Sequence, residues 1–558
     1  MRKATLIGAS ALFLLLEAGL ARGDLKVEEV PAPPTTLEIQ PSDGFSLPEV
    51  KLDDTLFVLE KQSVVLDRVR FVGNTVLSTE VLQIVAAPFL GKAVGADDIE
   101  TLRQKVTLSY VERGFINSGA VLTANALEHG TLTLNIVEGK LKEIHLRGLD
   151  GLNERYVTDR LAREDEPLNM QTLGERFQLL LTDPLFARMN GQLLPDIERG
   201  KAILNVDIER ARPYQLSLSA NNYRPVSIGE QSATLSGWAR NMTGYGDLFE
   251  ASYQSPLGDG DSTHTALGWR IPLNTKGTQL SLNYEEGASS VIEQPIQPLD
   301  VQSKLACKDI GIRQTLIETL SHKFSIGLNR VVRKNSTTLL GEAFSFVPGE
   351  PSGTSKARDW RFWQEYSHHW ENQGLALRST FTKGDNNQTD VGTIADGMLN
   401  RQYRSWLGQV QYAHRLLDNG TQFILRLNIQ DSPHRLIAME GMSVGGINTV
   451  RGYRENQLVR DNGQVTNVEL DFPLVADGAN HLNLVPFFDY GRAWNNGEEK
   501  AIISSIGLAA RLRWQRLDVD LAIAKRLSHP VTITSGGSNL QDQGIHLQVS
   551  YNFFGERL

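Results

Sequence analysis

Two short runs in the last third of the chain carry residue types suited to holding a segment in place. Val450-Arg451-Gly452-Tyr453 follows Gly445-Gly446, and Phe487-Phe488-Asp489-Tyr490-Gly491 comes later, with 38 residues from Arg451 to Asp489. An arginine guanidinium is a planar fork that grips a carboxylate through two parallel hydrogen bonds, so Arg451 and Asp489 are matched partners if folding brings them together. Gly452 would permit a tight approach, and Gly491 would leave room for the incoming segment. In a wet setting such a pair contributes ~0–1 kcal/mol; where it is partly desolvated, losing one partner costs ~3–5 kcal/mol. Taken singly, each run also reads as a turn glycine beside a solvated arginine, or as an unrelated carboxylate.

Other candidate chemistry is poorer. Gly441-Met442-Ser443-Val444-Gly445 matches the G-x-S-x-G nucleophile elbow, which requires a parallel-sheet strand before it and a helix after it. Neither is readable around Ser443, and no His and acid follow in a hydrolase-like arrangement. His368-His369 and His434 lack metal-ligand spacing such as H-E-x-x-H, and no phosphate-binding glycine loop occurs. No catalytic residue, cofactor or metal is therefore expected.

The elements that would position Arg451 and Asp489 are strands. From Tyr214 to Phe554 side chains alternate with a period of two. Phe423, Leu425, Leu427 and Ile429 share one face, as do Ile545, Leu547, Val549, Tyr551 and Phe553, against His546, Gln548, Ser550 and Asn552. Asn467, Glu469 and Asp471 oppose Val468, Leu470 and Phe472; Ser505, Gly507, Ala509, Arg511 and Arg513 oppose Ile506, Leu508, Ala510, Leu512 and Trp514. A soluble sandwich would turn the apolar faces inwards; a membrane barrel turns them to lipid around a hydrated lumen. Polar faces on strand after strand favour the barrel. Aromatic residues near expected strand ends, among them Tyr214, Trp238, Trp269, Trp360, Trp363, Trp370, Trp494, Trp514 and Tyr551, fit interfacial girdles. Turn signals include Asn241, Gly258-Asp259-Gly260, Asn419-Gly420 and Asp461-Asn462-Gly463. At ~9–11 residues per spanning strand, the segment holds on the order of 14–18 antiparallel strands, with 16 the central value. Alternation then points Phe487, Asp489 and Gly491 into the lumen, where a long inward loop would bring Arg451.

Residues 63–212 read differently. Val69 and Phe71 lead into Gly73, and Ile144 and Leu146 into Gly148; each glycine is followed by two helical stretches and two strands. The 75-residue spacing predicts two tandem β-α-α-β-β modules, 63–140 and 141–212. In the first, Asp97 with Glu100 resembles a capping box, Ile99, Leu102, Val106 and Tyr110 form a stripe, and Gly114 stops the helix. In the second, Asn169 caps a helix bearing Leu173, Phe177 and Leu180.

The first 23 residues have the form of an export signal, with Arg2 and Lys3, an apolar core Leu6 to Leu16, and Ala21-Arg22-Gly23 at the cleavage position. Residues 24–62, with five prolines, read as an extended linker. Cys307 is the one cysteine, so no internal disulfide forms, and the net charge of −9 argues against nucleic acid as a partner.

With these residues in place, the chain resembles the outer-membrane transporters of two-partner secretion, which export haemolysin and filamentous-haemagglutinin type proteins. Val450-Arg451-Gly452-Tyr453 matches that family's loop motif, and Phe487, Asp489 and Gly491 its barrel-wall motif. Tyr110 with Gly114-Phe115, and Leu181-Thr182-Asp183-Pro184, are similar to parts of first and second POTRA modules. The resemblance implies a 16-strand barrel (213–558) in the cell outer membrane, contacting outer-membrane lipid, with POTRA modules in the periplasm. It implies a monomer that passes a large, unfolded secreted exoprotein to the cell surface. An outer-membrane assembly insertase of the same superfamily is the alternative. Two departures stand out. The proline-rich 24–62 does not suit the N-terminal plug helix of many members, and Gly555-Glu556-Arg557-Leu558 follow the terminal aromatic Phe554.

Overall fold

The computed structural model describes residues 45–46, 63–123, 126–163, 165–258, 260–294, 296–346, 350, 352–387, 399–477, 480–528 and 539–554. The expected export signal, nearly all of the linker and the tail after Phe554 lie outside them. The chain divides into two compact units, one being Glu38–Arg212 and the other containing Pro213–Leu558.

The first unit repeats one plan. Strand Arg68–Val72 precedes helices Thr79–Ala86 and Ala96–Val111 and strands Gly119–Val121 and Thr131–Val137. Strand Lys140–Arg147 precedes helices Glu154–Leu161 and Met170–Leu181 and strands Phe186–Pro195 and Lys201–Arg210. In both modules the first strand runs parallel to the last, which pairs antiparallel with the one before it. Gly73 (φ +91°) and Gly148 (φ +80°) end the first strands at equivalent places. A β-carbon on either would collide with a last-strand carbonyl oxygen, of Ile136 or of Ile208. Only glycine meets both demands, which is why the repeat is readable at these two positions.

Each module has its own core. Leu82, Ile99, Leu102, Val106, Tyr110, Leu132 and Leu134 fill the first; Val157, Leu161, Leu173, Phe177, Leu193, Leu204 and Val206 the second. The Asn169 side chain accepts from the N–H groups of Gln171 (2.9 Å) and Thr172 (3.2 Å), capping its helix as the sequence implies. The first-module cap differs from expectation. The helix begins one residue earlier, and Gly95 N–H donates to Asp98 (2.9 Å), while Glu100 pairs with Arg103. Asp97 and Glu100 have the right spacing, but the chain becomes helical before them. In the linker, Phe45–Ser46 run parallel to Phe186–Pro195, opposite Gly191 and Gln192. An extended segment low in packing groups thus still adds backbone to a sheet edge.

The second unit is a closed barrel of sixteen antiparallel strands, from Tyr214–Asn221 to Ile545–Asn552. These two close it, with Ser217 opposite Asn552 and Asn221 opposite Gln548. Its faces are inverted relative to a soluble protein. Leu235, Ile310, Phe381, Phe488, Ile506 and Ile523 point outwards and are 41–57% exposed, whereas Ser325, Asn335, Asp359, Asn467, Ser505 and His546 are buried inside. Exposed large apolar side chains around polar buried ones are what a hydrocarbon surrounding selects. Among the described residues no helix is long and apolar enough to cross a membrane, and the strands serve instead.

Tyr214, Trp494, Trp514 and Tyr551 lie at strand ends. Trp363 does not belong with them. It is three residues from Trp360 on Thr354–His369 and so faces the other way, buried in the lumen, with its indole N–H donating to Asn329 (2.9 Å). Asp461-Asn462-Gly463 is likewise no hairpin turn. Asn462 and Gly463 open the wall strand Asn462–Asp477, and the Asp461 carboxylate accepts from the N–H groups of Leu436 and Asn496.

Candidate functional site

The 30 or so residues between strands Gln422–Asp431 and Asn462–Asp477 fold inwards. The loop contains a short antiparallel pair, Met442–Val444 with Leu458–Arg460. Between its arms, Gly445 (φ +115°), Gly446 (φ +103°) and Gly452 (φ +88°) supply left-handed turns. Met442, Val444, Val450, Tyr453 and Leu458 pack on Val465, Ala493 and Ile503 of the wall, all buried. Around this seat the inner wall turns apolar.

This seating delivers Arg451 to Asp489, which lies inward on Asn480–Trp494 and is fully buried. Arg451 Nε donates to Asp489 Oδ2 (2.7 Å) and Nη2 to Oδ1 (2.8 Å), and the Arg451 backbone N–H also reaches Oδ2 (3.0 Å). The guanidinium carbon stands 3.5 Å from the ring centre of Phe487, so the face of the fork is covered as well as its edge. Asn467 Nδ2 also donates to Asp489 Oδ1 (2.8 Å). Gly491 lies beside Val444 and Val450, and Gly452 beside Ala524. Tyr453 donates its hydroxyl to the Ser528 carbonyl (2.6 Å).

Three further contributors are not readable from residue spacing. Glu469 is a second acceptor for Arg451, from Nη1 to Oε1 (2.7 Å), and also meets Arg426 (3.2 Å) and Arg511 (3.0 Å); Arg511 in turn reaches Asp471 (3.3 Å). Three arginines thus balance three carboxylates. Alternation had already placed Glu469 in the lumen, but nothing in the sequence ties it to Arg451. His546 accepts from the Gly452 N–H at Nε2 (3.1 Å), so that nitrogen carries no proton. Arg454 reaches Asp542 through Nε and Nη2 (2.7 and 2.6 Å) and Glu293 through Nη1 (2.8 Å).

The arrangement can hold a loop. Ser443 lies on the short antiparallel pair with its hydroxyl bonded to Asn456, a setting unlike a strand-to-helix elbow. Among the described residues no cluster of His, Cys, Asp and Glu could hold a metal ion.

The sequence profile described as haemolysin secretion/activation protein ShlB/FhaC/HecB matches residues 200–514, over half of the 558, and that of the ShlB-type POTRA domain matches 64–139. The outer membrane transporter CdiB of Dickeya dadantii is 23% identical over 489 residues, 83% of either chain. The solved structure of CdiB from Escherichia coli superposes with a TM-score of 0.67 at 18% identity, covering 91% of this chain and 93% of that one. BamA from Haemophilus ducreyi lacking POTRA domains 1–3 superposes with a TM-score of 0.51 at 12% identity, covering 88% and 100%. Both structural likenesses concern the fold.

Proposed function

Since the chain belongs to the ShlB/FhaC/HecB family of haemolysin secretion/activation proteins, we propose that it is the outer-membrane pore of a two-partner secretion system, passing a large exoprotein to the cell surface. The barrel lies in the outer membrane and the POTRA region in the periplasm. Residues 141–212 act as a second POTRA module, supported by the shared strand order and the paired glycines. The pore works as a monomer, since one chain closes the barrel by itself.

Cargo arrives unfolded and adds a strand to a module edge, where unpaired N–H and C=O groups are offered. It then threads the lumen as the inward loop shifts, drawn by its own folding outside. Val450, Arg451, Gly452 and Tyr453 of the loop, with Phe487, Asp489 and Gly491 of the wall, form the contact that keeps the resting pore closed. The bidentate Arg451–Asp489 pair carries this reading, because it joins the loop filling the lumen to the wall of the conduit. The assembly insertase has no comparable support, since the likeness to BamA concerns the fold alone. Co-expression with a large exoprotein encoded beside it tests the proposal: the exoprotein appears in the medium only with the intact transporter. Unchanged release without the transporter, or collapse of unrelated outer-membrane proteins on its loss, would refute it.

A further inference from the structure

We propose that the inward loop is held by a second latch, separate from Arg451, in which Glu440 ties the start of its first arm to a different part of the wall. The inference rests on the loop being the movable gate, as proposed above.

Glu440 ends the turn Ala438–Glu440, just before the short strand Met442–Val444. Its carboxylate is almost completely buried between two arginines of neighbouring wall strands: Arg333 on His322–Leu339, bonded to Oε1, and Arg361 on Thr354–His369, whose Nη2 meets Oε2 at 2.8 Å. Arg361 also reaches Asp359 (3.3 Å), and the Tyr403 hydroxyl bonds to that same carboxylate. The backbone is held too, since Gln430 Nε2 donates to the Glu440 carbonyl (2.9 Å). Ile437 and Met439 flank the charge and pack on Leu305 and Ala357. Two carboxylates and two guanidiniums thus form one network, with the Cys307 thiol beside Arg333, and none of its ion pairs is shared with the Arg451 cluster.

Arg333 and Arg361 of one anchor and Glu469 and Asp489 of the other stand on separate stretches of the wall, with strands Gln373–Asn386 and Gln402–Arg415 wholly between them. The loop is therefore strapped across the lumen rather than hung from one point. Ionic anchors suit a part that must leave: once the loop moves, lumen water solvates each freed charge, whereas a buried carboxylate with one partner removed has no such refuge. Vacating the lumen requires Glu440 to open as well as the Arg451 and Arg454 contacts, so breaking Arg451 alone leaves the loop held.

The test needs no cargo, so its failure is distinct from failure of the secretion reading. Cys307 lies beside Arg333, so Cys307→Ser, which keeps a hydroxyl there, is the common background against which every variant is compared; in that full-length protein Ser443→Cys places a thiol in the loop, and its rate of modification by a bulky maleimide reports how often the loop leaves the wall. Glu440→Gln and Arg451→Ala should each raise that rate by about tenfold, and the double variant by about the product, as independent anchors require. Arg361→Gln removes one partner and serves if Glu440→Gln does not assemble, assembly being read from heat-modifiable migration. A double variant no faster than Arg451→Ala overturns the proposal. So does a Glu440→Gln protein that melts earlier but labels at the parental rate, which marks Glu440 as merely structural.

Discussion

Val450 of the inward loop occupies the space that a side chain on Gly491 would need: a β-carbon built at Gly491 falls 2.8 Å from Val450 Cγ2 and closer still to Val444. The wall is hollowed at one residue, and the loop fills the hollow. The contact involves no charge, and lies one residue from Arg451 and two from Asp489.

Gly491→Val should therefore push the loop off the wall while leaving the strand intact, since valine suits a strand. Secretion is expected to fall by at least tenfold with normal heat-modifiable migration. Normal secretion by this variant would show that the seating is dispensable.

Arg451→Ala leaves Asp489 and Glu469 buried without their shared partner. Losing one side of a desolvated pair costs about 3–5 kcal/mol locally. Exoprotein in the medium should drop to near background with the barrel still assembled. Arg451→Lys should restore only a small part, because an ammonium keeps the charge but cannot make both parallel bonds to Asp489. Equal secretion by the Lys variant and the parent would count against the fork.

Deleting 63–140 removes the first module and one set of strand edges. Cargo capture should stop while single-channel conductance in planar bilayers persists. A deletion that loses conductance too would mean that the module is needed for the pore itself.

In the first module, burial alone would raise the Glu138 carboxyl. Hydrogen bonds from the Thr75 hydroxyl, the Val76 and Thr75 N–H groups (2.7 and 2.6 Å) and the Tyr110 hydroxyl (3.2 Å) outweigh it and hold Glu138 below the usual 4.5. A depressed carboxyl stabilises the fold above its unfolded value, and that contribution is lost as pH falls through the lower folded value. Glu138→Gln should destabilise the 63–212 unit by about 1–3 kcal/mol at neutral pH. The difference from the parent should shrink towards zero in acid below pH 4.5, as followed by circular dichroism in urea. A difference independent of pH would exclude the charge as its source.

How much of this was legible depended on whether a residue's role is local. Period-two alternation, with polar faces on strand after strand, gave the barrel and the lumen faces of Asp489 and Glu469, because a strand turns each side chain by a fixed half-turn; segment length divided by spanning length gave about 14–18 strands, centred on the sixteen found. Gly73 and Gly148 gave the repeat, because left-handed backbone and close approach leave no other residue type. Trp363 was misassigned because composition does not report parity: three residues from Trp360, it must face the opposite side. Glu440 was invisible for a deeper reason. Its partners Arg333 and Arg361 lie about 80–110 residues before it in sequence, and barrel register, which no local pattern encodes, brings them together.

The seam between Tyr214–Asn221 and Ile545–Asn552 also bears on biosynthesis. The strand that closes the cylinder is the last of the sixteen to leave the ribosome, so a translation product halted before Ile545 is a sheet with two raw borders. Hydrocarbon does not tolerate such borders. Nonsense truncations anywhere upstream of that strand should thus behave alike, as substrates for periplasmic proteolysis rather than as leaky channels.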